Sequence, residues 1–271
     1  MPAPVASRFV RLAVLPVLIA GTLVAASGCA SEGAPPRYAP PADSTAWAVT
    51  GDTVMTRLAQ ISFAAVDSAF AALPRVPVTR TTRTDVFSAT DSLRGQLRQI
   101  WAHRPGAEPA LRSETQTGTL PDRDLWGLAP RTQAEALPEN IIGSAYPDEP
   151  PFLEARNRSA YRYGMRRDTL APGIAVDRLE VLARDTADGR RLAVPYARVD
   201  VLPGTNTVVS TYVVRAERAL LYDEDSLFYV ALQPGSEVAW LPHLLRFRAR
   251  LAVPLRPVES VQLVTSFTPG T

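Results

Sequence analysis

Leu245-Arg246-Phe247-Arg248-Ala249-Arg250-Leu251-Ala252-Val253 is the stretch that decides the fold. Apolar side chains stand at 245, 247, 249, 251 and 253, and arginines stand at 246, 248 and 250. Side chains alternate across a strand, so one face of this segment meets a core and the other meets water. Working outward, Gln233-Pro234-Gly235-Ser236 is a turn between strands expected at 227–232 and 237–241, and residues 258–267 form a closing strand. Further back, 161–167 leads through Ala171-Pro172-Gly173 into 174–184, and Asp188-Gly189 is a hairpin turn. Leu192, Val194 and Tyr196 alternate in the next strand. Leu202-Pro203-Gly204-Thr205-Asn206 then turns into 207–221, where Val208, Tyr212 and Val214 share a face. Asp223 to Asp225 is read as a further turn. Successive strands joined by short turns imply an antiparallel meander, apolar on one face and polar on the other.

Upstream, one helix is expected over 52–73. Asp52 caps it, Val54, Leu58, Ile61, Ala65, Ala69 and Leu73 form its apolar stripe, and Pro74 ends it. Phe63, Val66 and Phe70 widen the stripe until it must be covered by the sheet or by a ligand. Residues 76–87 read as extended, with Pro77 placing their start at a sheet edge. Residues 93–101 fit a helical face or a strand running into His103-Arg104-Pro105-Gly106, and the strand is favoured. Residues 111–117 add a short strand. Residues 119–160 form a Pro-rich irregular insertion with a short helix at 133–137. The fold class is therefore mainly β (α+β), with an N-terminal amphipathic helix on an antiparallel sheet.

The N-terminus is organised differently. Arg8 and Arg11 precede a charge-free apolar run, and Ala26-Ser27-Gly28 precedes Cys29, the one cysteine in the chain. This order matches a secretory signal and resembles the lipobox of bacterial lipoproteins, which implies cleavage after residue 28 and a diacylglycerol on the Cys29 thiol. Two other readings stay open: cleavage after Ala30 by an ordinary signal peptidase, and an uncleaved anchor. The apolar core is short against the roughly 20 residues a spanning helix needs, and Pro16 interrupts it. The expected organisation is a signal peptide over 1–28, a Pro-rich tether over 29–46 and a single β-rich domain over 47–271. Lipidation at Cys29 would leave no thiol for a disulfide, a nucleophile or a metal.

Composition removes several classes of chemistry. All 29 basic residues are arginine, so no lysine is present for a P-loop, a Schiff base or an amine nucleophile. Without residues 1–28 the chain holds as many arginines as acidic residues, 27 of each, which leaves no electrostatic footprint for nucleic acid. His103 and His243, the only histidines, sit in no ligand-spaced motif and adjoin proline-containing turns, where surface histidines are common. No G-x-S-x-G elbow occurs, and Asp223-Glu224-Asp225 lacks the ligand alternation of a calcium loop. No catalytic residue, metal ligand or cofactor is expected. Arg246, Arg248 and Arg250 form a guanidinium ladder suited to lipid phosphates or an acidic partner, set against the commoner meaning of a solvated sheet face. Trp101, Trp126 and Trp240 are either cavity-lining or core residues.

The order of signal, tether, amphipathic helix and long meander is similar to that of the Lol lipoprotein-carrier superfamily, which includes LolA, LolB and the sensor domain of RseB. The residues behind the resemblance are the stretch from Gly95 to Arg104-Pro105-Gly106, Tyr161-Arg162-Tyr163, the hairpin from Asp200-Val201 to Val208-Val209, and Trp240-Leu241-Pro242. It covers about residues 52–267, and the insertion at 119–160 has no counterpart in it. The resemblance implies a curved sheet, an unclosed half-barrel, whose helix-covered face receives acyl chains. It also implies a non-enzymatic protein anchored in the bacterial envelope and facing the periplasm. Ala30 after the cysteine implies the outer membrane under the sorting rule of enteric bacteria. An adaptor, sensor or accessory subunit of a membrane complex, with its cavity filled by side chains, is the alternative. A hydrolase with a triad hidden from sequence is a distant third.

Overall fold

The computed structural model describes residues 46–120, 150–171, 173–184, 192–218, 223–252 and 258–270. All of them fall within one unit, residues 34–271. Cys29, the signal and the tether up to residue 45, Trp126, Asp188-Gly189 and the helix expected at 133–137 lie outside the described residues.

Among the described residues eleven strands make one antiparallel sheet that does not close into a barrel. They are β1 (Val49–Thr50), β2 (Val78–Phe87), β3 (Leu93–His103), β4 (Ala110–Gly118), β5 (Tyr161–Leu170) and β6 (Ile174–Ala183), followed by β7 (Tyr196–Val201), β8 (Val208–Arg218), β9 (Asp223–Pro234), β10 (Trp240–Ala252) and β11 (Glu259–Pro269). The spatial order is β1-β5-β6-β7-β8-β9-β10-β11-β2-β3-β4. The expected meander is therefore present from β5 to β11, except that no separate strand forms at 237–241: residues 236–239 bend, and β10 starts at Trp240 and runs on through Ala252. The hairpins of β2, β3 and β4 continue the sheet beyond β11, because β2 pairs with β11 from Pro269↔Val78 to Ser260↔Phe87.

The expected helix is broken in two, α1 (Asp52–Leu58) and α2 (Ala64–Ala72). Ser62 makes a parallel bridge to Thr207, and the backbone bonds Ser62 N to Asn206 O (2.9 Å) and Val208 N to Ser62 O (3.1 Å) hold it extended. The Ser62 hydroxyl then accepts from Ala64 N at the start of α2 (3.3 Å). Gly51, with φ at 81°, occupies the cap position of α1 that Asp52 was expected to fill. Pro74 does end the α-helical stretch, in a short 3-10 turn, Leu73–Arg75.

α1 lies on β1 and β5, and α2 lies on β8 and β10. Val54, Leu58, Val66, Ala69 and Leu73 from the helices share one buried cluster with Leu179, Val199, Val213, Val230, Leu245 and Phe267 from the sheet. Register explains the match. Leu245 faces Val230, Val230 faces Thr211, Thr211 faces Val199 and Val199 faces Leu179, so one continuous row runs under the helices. Phe70 meets the Phe267 ring edge-on at 5.8 Å between centroids. Burying each such side chain contributes about 1.5–3 kcal/mol, which fixes the helices to this face.

Four local expectations are corrected by pairing. β2 is an interior strand flanked by β11 and β3, and Pro77 is tolerated because it precedes the ladder and removes no strand N–H. Leu192 and Val194 join the helix-face cluster, whereas Tyr196 packs on the opposite face with Val214 and Leu227. The strand begins only after Pro195, so the alternation is interrupted. Val208 also departs from Tyr212 and Val214. A bulge between the Asp200↔Ser210 and Val201↔Val208 pairs inserts Val209 and turns Val208 to the helix face. Finally, the acidic triplet is strand, not turn: Asp223, Glu224 and Asp225 open β9 opposite Ala252, Leu251 and Arg250.

Candidate functional site

The helix face changes character along the sheet. Under α1 and α2 it is aliphatic and filled. Over β11, β2 and β3 the same face carries Thr265, Arg80, Thr82, Thr84, Gln99 and His103, all buried, interleaved with Val78, Val86, Leu97 and Trp101. Register assembles them. Thr265 pairs with Thr82 and Thr82 with Gln99, while Phe267 pairs with Arg80 and Arg80 with Trp101. The Thr82 and Thr265 hydroxyls lie 3.1 Å apart, and Gln99 Nε2 donates to Glu114 Oε2 of β4 at 2.7 Å.

Arg80 is the largest side chain to be wholly buried, at 1% exposed, with its guanidinium over the Trp101 ring 5.1 Å from the centroid. Burial lowers its pKa to about 10, so it is a cation at neutral pH. The same burial, with the nearby Arg80 charge, lowers the His103 pKa below its ordinary 6.5. His103 is thus a buried neutral imidazole, correcting the expected surface position. Thr84 Oγ1, Gln99 Oε1, Trp101 Nε1 and His103 Nε2 are buried with no hydrogen-bond partner among the described residues. Each such group left unmatched costs about 1–3 kcal/mol, so four on one stretch of sheet is an expensive arrangement for a core with no other duty.

Beside α1 the surface opens into a groove of about 790 Å³, lined by Asp52, Thr53, Thr56, Arg57, Gln60, Asp177 and residues 204–206. Its floor is set by an ion pair: Arg57 bonds Asp177 at 2.8 Å and donates to Thr205 O at 3.2 Å. The groove is lined by polar and charged residues, and the helix-covered face expected to receive acyl chains is instead filled beneath the 52–73 segment. There, Val54, Leu58, Val66 and Leu73 are each no more than 2% exposed.

The opposite face holds an ionic and aromatic network on β5–β9. Asp200, wholly buried, accepts from Arg178 Nε at 2.7 Å and lies 3.5 Å from Arg198. Arg178 also pairs with Asp168. The Arg198 guanidinium sits over the Tyr212 and Tyr229 rings, at 5.4 and 5.7 Å. Glu180 accepts from Tyr196 Oη and from Trp47 Nε1, each at 2.7 Å. Burial first, and then the Glu180 carboxylate, push the Tyr196 hydroxyl pKa far above its usual value. On β10, Arg246 is exposed, Arg248 lies 3.8 Å from Asp91 and over the Phe87 ring, and Arg250 lies 3.8 Å from Asp225. Two members of the expected ladder therefore have acidic neighbours.

Among the described residues no group of three or more His, Cys, Asp or Glu side chains is arranged to hold a metal ion, and no helix is long and apolar enough to cross a membrane. Sequence reading missed Arg80, Thr82, Thr84 and Gln99. The available signal was Val78-Thr79-Arg80-Thr81-Thr82-Arg83-Thr84, where polar residues occupy both faces of a strand that is nonetheless interior to the sheet.

No family model and no curated protein sequence matches the chain. Among solved structures it is similar to a LolA superfamily protein of Nitrosomonas europaea (12% identity, TM-score 0.22, covering 83% of this chain and 95% of that one). It is also similar to an outer membrane lipoprotein-sorting protein domain of Vibrio parahaemolyticus (12% identity, TM-score 0.22, 76% and 92%). A third similarity is to a DUF1329 family protein of Desulfovibrio piger (10% identity, TM-score 0.22, 80% and 89%). Alignments at this TM-score assign no family, and the architecture stands on the strand register described above.

Proposed function

We propose that this protein is a non-enzymatic, lipid-anchored protein of the bacterial cell envelope that takes a hydrophobic, acyl-chain ligand on the helix face of its open sheet. The carrying observation is the mixed make-up of that face over β11, β2 and β3. Leu97, Trp101 and Val86 supply hydrocarbon contact, while Thr84, Gln99, Trp101 and His103 hold donors and acceptors that are unmatched among the described residues and suited to a polar head. Acyl-chain binding is driven by hydrocarbon burial, and the polar groups would fix its orientation. The reading assigns binding, not chemistry, to these residues. Anchoring through Cys29 places the site at the envelope, facing the periplasm, with the outer membrane as the expected address. The test is photocrosslinking of the whole protein with a diazirine-bearing fatty acid, followed by peptide mapping. Adducts on residues 95–103 are expected. Adducts confined to residues 52–73, or none, would overturn the assignment.

A second reading, an adaptor or accessory subunit of a membrane complex, is favoured by the filled core under α1 and α2 and by the polar groove beside Arg57 and Asp177. Protein partners commonly meet such mixed surfaces. Pull-down with Thr53→Arg, Thr56→Arg protein separates the readings, because the adaptor loses its partner while a carrier keeps its ligand.

A further inference from the structure

We infer that the face opposite the helices carries a contact for an anionic bilayer surface, made by Arg246, Arg83 and Arg98. The inference rests on strand register and is independent of the ligand reading. Arg246 pairs with Val264, Val264 with Arg83 and Arg83 with Arg98, so three arginines stand in one row across β10, β11, β2 and β3. At about 4.8 Å per strand the row spans about 14 Å. All three side chains are exposed. The sequence pattern pointed along β10, but the geometry points across the strands, since Arg248 and Arg250 lean towards Asp91 and Asp225.

Charge balance supports the row as a site. Among the described residues its one acidic neighbour is Asp85, buried, 3.0 Å from Arg83 and engaged by Gln96 at 2.7 Å. Among the described residues Arg246 and Arg98 have no carboxylate within ion-pair distance. Arg83 and Arg98 are direct cross-strand partners, and like charges so placed destabilise a sheet. Asp85 offsets the charge on Arg83 alone, and an anion that meets both arginines would offset the other. The partner chemistry follows from the surroundings. Thr81, Ser266, Gln262, Gln96 and Thr115 flank the row, and the half-buried Tyr229 of β9 adjoins its Arg246 end, so hydroxyl and amide groups surround the three cations. Exposed guanidinium groups among hydroxyl and amide side chains match lipid phosphates.

The test uses the full chain as Cys29→Ser, so that no attached lipid contributes, floated with vesicles of phosphatidylcholine alone or with added phosphatidylglycerol. Binding at least tenfold stronger to the anionic vesicles, weakening as salt rises, is expected. The triple substitution Arg83→Ser, Arg98→Ser, Arg246→Ser should lower anionic-vesicle binding about 100-fold, and Arg98→Ser alone about fivefold. The charge-matched control, Arg75→Ser, Arg104→Ser, Arg112→Ser, should keep at least half of the parent affinity. Equal binding to both vesicles, equal losses in the two triple variants, or a triple variant that binds like its parent would each overturn the inference. The like-charge pair predicts that Arg98→Ser melts no lower than the parent, which guards the result against misfolding.

Discussion

Gly164→Ala tests how the N-terminal edge is sealed. Gly164 of β5 pairs with Thr50 on one side and Glu180 on the other. A Cβ at this position would lie 1.8 Å from Trp47 Cδ2, so the indole rests directly on the glycine backbone. The indole N–H donates to Glu180 Oε2 at 2.7 Å. Adding a methyl group ejects Trp47 and breaks that bond. A hydrogen bond to a charged group contributes about 1.5–3 kcal/mol. Removing a buried Trp costs about 3–5 kcal/mol, and Trp47 is half-buried, so about half of that is at stake. The two losses overlap, and the expected destabilisation is about 3 kcal/mol, a fall in Tm of about 6–12 °C for a domain of this size. The assay is a double-mutant cycle by circular dichroism with Trp47→Ala as the second change. In the Trp47→Ala background Gly164→Ala should cost less than about 0.5 kcal/mol. An equal loss in both backgrounds, or no loss in either, would refute the reasoning.

Three further outcomes are expected. Leu58→Ala removes a side chain 1% exposed in the main cluster and should cost about 2–5 kcal/mol in urea titration; a cost under about 1 kcal/mol would show that α1 is not part of the core. His103 has its folded pKa below the unfolded value, so the unfolded chain binds more protons and stability falls as pH drops through about 6.5 towards the folded pKa; the Tm of wild type should decline in that window more steeply than that of His103→Gln, and parallel profiles would contradict the buried neutral imidazole. Cys29→Ser should abolish incorporation of labelled palmitate and detergent partitioning, and labelling that survives the change would remove Cys29 as the attachment site.

The strand content was legible because alternation is local. Residues 245–251 needed no partner to show which face was apolar, whereas 93–101 fitted a helical face as well and was read as a strand from the turn that follows it. Where partners decide, local reading failed. The apolar stripe over 52–73 continues through Ser62, and only the bridge to Thr207 splits the helix. Pro77 suggested an edge, yet what places β2 inside the sheet is its pairing with β11, more than 170 residues away. Val208 was assigned to the wrong face because a bulge is a property of two strands. The site followed the same division. Arg246 was visible as an outward-facing cation, but its row with Arg83 and Arg98 exists only in the register. Arg80, a buried cation over Trp101, is read from sequence as one more polar residue in a Thr-rich strand.

The measurement closest to the central claim is native mass spectrometry of the full-length protein purified from a bacterial envelope in mild detergent. The account predicts a non-covalent acyl-lipid adduct beyond any lipid on Cys29. The adduct should be lost when Leu97→Arg is introduced on the helix face of β3 and retained when Thr53→Arg is introduced in the polar groove. A protein that carries no such adduct, or an adduct unaffected by Leu97→Arg in a variant that still folds, would contradict it.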